Sequence, residues 1–217
     1  TPRPFMDKHD PEHRSIGVGR IAFEVVSGPW FVERVTTDSS LITGTGSVLT
    51  SAPMVDQNAD LRVEKLGLVL PEAPDPVASY VTLVQFGDLG YTSGHGPVRL
   101  DGSSVVGKVG LDLTVAAAQD AARLTALNIL STIRTHLGSL NRITRVIKVL
   151  GLVNATPDFT EHPAVINGCS DLLVAVFGDI GRHARSAVGV GSLPGNIPVE
   201  IEVILGIRAL GADPRSS

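Results

Sequence analysis

The apolar positions of this chain switch period along its length, and each switch marks an element. Between Thr114 and Leu137, residues Ala117, Ala121, Leu124, Leu127, Leu130, Ile133 and Leu137 recur at steps of three or four. That spacing predicts an amphipathic helix with one buried face, and Gly138 is its stop signal. Upstream, YVTLVQFGDLGYTSG (80–94) reads as a β-hairpin turning at Gly87 and Asp88. RITRVIKVLGLVN (142–154) reads as a strand, and its continuous apolar stretch after Lys148 predicts cover on both faces. Pro163 to Phe177 forms a second helical pattern ending at Gly178. Two strand-like runs follow, HARSAVGV and PVEIEVIL, separated by an SLPGN turn. The order of hairpin, helix, strand, helix and two strands predicts an α+β domain with two helices on one face of a single sheet.

Residues 1–57 read differently. Pro2, Pro4 and Pro11 stand among charges, and the short runs IAFEVV, WFVERV and LITGTGSVLT are broken by Gly, Ser and Pro. Turn residues at that density predict an N-terminal extension that is poorly ordered or loosely packed, with the domain proper at 58–217. A proline-rich spacer, PEAPDPV (71–77), is a turn or linker, because each proline removes a donor and disfavours helix before it.

Charge narrows the picture. Only 18% of the 217 residues are charged, against about 25% in an ordinary soluble domain. The deficit points to a buried interface between subunits. A formal net charge of -4 offers no electrostatic footprint for a polyphosphate, which argues against nucleic-acid binding. No run approaches the roughly 18 uninterrupted apolar residues of a membrane span, and TPRPFMDKHDPEHR is no secretion signal, so a cytoplasmic protein is expected.

Candidate chemistry concentrates at Arg185 and Glu200, single charges set in apolar strands. Burying such a charge is costly without a partner. Two readings follow: a structural Arg185–Glu200 ion pair at a strand edge, or a guanidinium fork held ready for a ligand's carboxylate. His9, His13, His95, His136, His162 and His183 are scattered, and Pro11 interrupts the one close pair, so no metal site is expected. His183 reads as a surface histidine two residues before Arg185. Cys169, the sole cysteine, reads as a small buried thiol on the second helix. Ser93 lacks a nucleophile-elbow pattern, and the glycine pairs at 17/19 and 189/191 lack a dinucleotide fingerprint.

From about Leu66 to Ile207 the chain resembles the Rid proteins, the reactive intermediate deaminases of the YjgF-like family. The resemblance rests on VASYVTLVQFGDLGYTSGHGPV, AARLTALNILSTIRTHLGSLNRI, VINGCSDLLVAVFG and ARSAVGVGSLPGNIPVEIEVI, in that order and spacing. It implies a chorismate-mutase-like α+β fold with one mixed sheet, assembled as a homotrimer with sites in the clefts between subunits. It further implies hydrolysis of enamines and 2-imino acids to 2-oxo acids and ammonia, with no metal or organic cofactor. On this resemblance Arg185 holds the substrate carboxylate and Glu200 activates water, while Tyr80, Ser93, Gly94, Asn167 and the backbone N–H of Ala187 complete the pocket. The family's frequent glutamine after Ser-Gly is His95 here, which is expected to alter the substrate that fits. A trimer that binds small carboxylates without turnover and, further off, a ribonuclease are the alternatives.

Overall fold

The computed structural model describes residues 58–73 and 79–208, all within one unit, Ser51–Ser217. The expectations for residues 1–57 and for most of the proline-rich spacer lie outside them.

The hairpin forms where the pattern placed it. Strands β1 (Leu83–Phe86) and β2 (Leu89–Thr92) pair antiparallel across Gly87 and Asp88. Gly87 has a φ of 61°, a left-handed value that a residue with a β-carbon resists. Helix α2 (Val115–Leu137) starts at Thr114, whose hydroxyl accepts the Ala117 N–H, and stops at Gly138 with a φ of 79°. Its buried stripe is wider than the periodicity suggested. Ala118, Ala122, Ala126, Ile129 and Ile133 are buried alongside Ala121 and Leu130, while Leu124 and Leu127 are only half-buried. Sheet and neighbouring helix both cover this helix, so small residues serve as core where it is tightest.

Strand β3 (Ile143–Asn154) leads to helix α3 (His162–Phe177), then to strands β4 (Ala184–Val190) and β5 (Val199–Ile207). The SLPGN segment does not join β4 and β5 as neighbours. Strand order is β1-β2-β5-β3-β4: β3 lies between them, antiparallel to β5 and parallel to β4. A parallel neighbour requires a crossover, and α3 supplies it. The sheet is therefore mixed, with α2 and α3 packed on one face. A short helix, α1 (Ala59–Lys65), was not foreseen; Asn58 caps it, and the Asp60 carboxylate accepts the Ser139 hydroxyl beyond the end of α2.

Helix α3 runs through the core. By length and mean hydropathy alone His162–Gly181 would qualify as a membrane span, although Asn167, Ser170 and Asp171 interrupt its apolar run. Yet Ile166, Cys169, Leu172, Leu173 and Val176 are fully buried, which marks it as a core helix. Gly168 brings it onto α2, since a β-carbon there would stand 2.0 Å from the Gln119 carbonyl oxygen.

The opposite face of the sheet differs from expectation too. Val146, Val149 and Val153 of β3 are fully buried toward the helices, but Arg145 and Ile147 are exposed, and Leu150 and Leu152 are only half-covered. Val84, Phe86, Tyr91 and Val188 are likewise exposed. Within one chain, the sheet has one covered face and one largely apolar open face.

Candidate functional site

Strand register separates the two candidate charges. Arg185 pairs with Val149 of β3, which faces the helices, whereas Glu200 pairs with Leu152, which faces the open side. Leu152 also pairs with Val188, so Arg185 lies three residues along the sheet from Glu200 and two strands away. At about 4.8 Å between strands and about 3.3 Å per residue, their backbones are about 14 Å apart, with side chains on opposite faces. A structural Arg185–Glu200 ion pair is excluded.

The Arg185 guanidinium reaches α3 instead. Its Nη1 donates to Asn167 Oδ1 at 2.8 Å and to Ser170 Oγ at 3.1 Å. Asn167 and Ser170 are three residues apart on the helix and so share a face. No carboxylate pairs with Arg185 among the described residues, and its Nη2 and Nε donate to no other group there. Half-buried and held by neutral acceptors, the guanidinium keeps one edge free as a fork for a planar anion. Ala187, two residues on, faces the same side and packs on the core.

Behind Ser170 stands His183. Its Nε2 lies 3.0 Å from Ser170 Oγ and its Nδ1 2.6 Å from the Gly181 carbonyl. The ring is half-buried rather than a surface group, and desolvation, followed by the Arg185 charge, lowers its pKa, the Gly181 bond opposing them in part. Sequence spacing missed Ser170 altogether. The only available signal was its position three residues after Asn167.

Glu200 belongs to a second cluster. Tyr91 pairs with Ile204 and His95 with Ile201, so Thr92, Ser93 and Gly94 stand opposite only Glu202 and Val203. That one extra residue is a bulge. It brings Gly94 against Glu200 so closely that a β-carbon would stand 2.0 Å from Oε1. Ser93 donates its hydroxyl to the Val81 carbonyl at 2.7 Å, which ties down the chain just after the exposed Tyr80. Burial, reinforced by Glu202, raises the Glu200 pKa above its ordinary 4.5.

The bulge also turns His95 inward. Its ring is 3% exposed, with Nδ1 2.7 Å from the Ser93 carbonyl and Nε2 2.8 Å from Thr132 Oγ1 of α2. Burial lowers its pKa most, the Ser93 bond opposing in part. His95 therefore braces the bulge from the core side rather than lining the open face.

Cys169 is completely buried, and burial pushes its thiol up to about 12 despite the nearby Arg185, so it is no nucleophile. No group of three or more His, Cys, Asp or Glu suited to a metal occurs among the described residues. A cavity of about 390 Å³ lies at the far end of β4, lined among others by Thr156, Phe159, His162 and Gly189, and includes neither Arg185 nor Glu200.

Residues 60–201 match the family described as "YjgF/chorismate_mutase-like, putative endoribonuclease". The chain belongs to this family. It is similar to Protein TCP17 of Trypanosoma cruzi, with 42% identity over 144 residues, 66% of this chain and 90% of that protein. Among solved structures it resembles Atu1372 of Agrobacterium tumefaciens, a protein of unknown function, at 44% identity and a TM-score of 0.64 over 70% of this chain and 92% of that one. A protein from Shewanella oneidensis MR-1 that carries the same endoribonuclease label matches at 30% identity and a TM-score of 0.66, over 69% and 99% of the two chains. The Rid/YjgF assignment and the chorismate-mutase-like α+β fold thus stand together.

Proposed function

We propose that this family member hydrolyses reactive 2-imino acids and their enamine tautomers to 2-oxo acids and ammonia. The observation that carries the reading is the Arg185 guanidinium, fixed by Asn167 and Ser170 yet without a carboxylate partner among the described residues. An anchored, unneutralised fork suits the carboxylate such substrates share.

Because Arg185 and Glu200 face opposite sides of the sheet, one pocket that uses both draws them from different subunits. The apolar open face supports that assembly, and the proposed state is a homotrimer. In the shared cleft Arg185 and the Ala187 N–H hold the carboxylate, and Tyr80, Ser93 and Asn167 shape the pocket. Glu200 takes a proton from water as its oxygen bonds to the carbon of the protonated imine and the C=N electron pair moves onto nitrogen. Glu200 then gives that proton to the carbinolamine nitrogen, the C–N bond breaks to release ammonia, and the hydroxyl becomes the 2-oxo carbonyl as its own proton passes to Glu200. A carboxyl with a raised pKa sits nearer the operating pH for these transfers. The Gly94 N–H, beside Glu200, bonds to no group among the described residues and is available to the developing polar centre. No cofactor enters this scheme, and a cytoplasmic setting, where amino-acid metabolism generates imines, goes with it.

The test is ammonia release from freshly generated imines of several amino acids. Arg185→Ala should reduce it and weaken 2-oxo acid binding at least about tenfold, whereas Glu200→Gln should keep binding and lose turnover. Near wild-type turnover in Arg185→Ala would sink the mechanism. Undiminished 2-oxo acid binding with no hydrolysis of any imine would select a binding trimer instead. Ribonuclease action, the family label, is disfavoured by the net charge of -4 and by Glu202 beside Glu200.

A further inference from the structure

We propose that Ser170 and His183 are positioning residues that lock Arg185 in one rotamer, aimed with its free edge toward a carboxylate ligand; this deepens the deaminase reading and rests on it. The hydrogen-bond directions follow from the groups themselves. The Gly181 carbonyl can only accept, so His183 Nδ1 carries the hydrogen at that 2.6 Å contact. In a neutral ring Nε2 is then an acceptor, and the Ser170 hydroxyl donates to it across 3.0 Å. That commits the Ser170 proton and leaves the oxygen's lone pairs for the Arg185 Nη1–H at 3.1 Å. Asn167 Oδ1 takes the second Nη1 hydrogen. Both hydrogens of one guanidinium nitrogen are thereby fixed to α3, and Nε with Nη2 is the edge left over.

The lowered pKa of His183 keeps the ring in the state this relay needs. Arg185 contributes to that lowering, so the guanidinium helps maintain its own support. A hydroxyl free to rotate would hold the arginine less firmly, since it could donate elsewhere and turn its lone pairs away. The histidine supplies the direction, and the serine transmits it.

The proposal is tested on the full-length chain by nitrogen NMR of the arginine guanidinium groups, with Arg185→Lys identifying the relevant signal, and by titration with pyruvate. In the wild type, rotation about the Arg185 Cζ–Nη bonds should be slow. Ser170→Ala and His183→Leu should each speed it, and should weaken pyruvate binding about fivefold, the worth of one net hydrogen bond. Ser170→Thr and His183→Gln, which retain the hydroxyl and an acceptor near the Nε2 position, should restore most of both. If neither Ser170→Ala nor His183→Leu changes guanidinium rotation, the positioning role is wrong. If rotation responds as expected but the wild type binds no pyruvate, the relay stands and the deaminase reading fails.

Discussion

Arg185 and Glu200 sit on opposite faces of one sheet, with β3 between their strands. Their separation turns two charges that looked like a pair into halves of two different surfaces. Arg185 shares its half with Asn167, Ser170 and His183, and Glu200 shares its own with Gly94.

Assembly is the first consequence. Val188 is 44% exposed on the open face beside Leu152, where an apolar side chain gains from being covered. Light scattering of the wild type should give about three times the chain mass. Val188→Asp would place a charge in the proposed interface and should shift the mass to that of a single chain while the helical circular dichroism persists.

Gly94→Ala should damage activity more than folding. The new β-carbon collides with the Glu200 carboxylate, whose flexible arm can swing aside at little cost to the core. Unfolding free energy should change by about 1 kcal/mol or less, while imine turnover falls at least about tenfold because the carboxylate has been displaced. Equal losses of stability and activity would count against Glu200 acting from this spot.

Gly168→Ala should behave the opposite way. There the collision is with backbone, the Gln119 carbonyl at 2.0 Å, which no side-chain rotation relieves. The two helices must part, and denaturant titration should show a loss of about 2 kcal/mol, even though alanine is the better helix former.

Acid should weaken the fold through His95. Its folded pKa lies below the ordinary 6.5, so an unfolded chain takes up the proton first, and stability falls as pH drops from 6.5 toward the folded value. His183 acts in the same sense. Glu200 opposes them: its folded pKa lies above 4.5, so its contribution recovers as pH falls through the raised value toward 4.5. Whatever its stability near about pH 8, His95→Gln should lose less between about pH 6.5 and about pH 5 than the wild type, as read by denaturation midpoints.

The sequence by itself determined the local elements apart from α1, and where the main ones stop. Gly138 ends α2, Gly178 ends α3, and Gly87 with Asp88 turns the hairpin, because each such signal acts within a few residues. It also marked Arg185 and Glu200 as unusual, since a lone charge among apolar strand residues stands out against period two. The tertiary structure decided everything that depends on which strand pairs with which. Inserting β3 between β4 and β5 removed the Arg185–Glu200 pair, and only the packing of α3 on β4 joined Ser170 and His183 to Arg185. The bulge at Ser93 and Gly94 was equally hidden. A single extra residue reverses the face of every side chain after it, so His95 entered the core through a register change that periodicity within one strand does not encode.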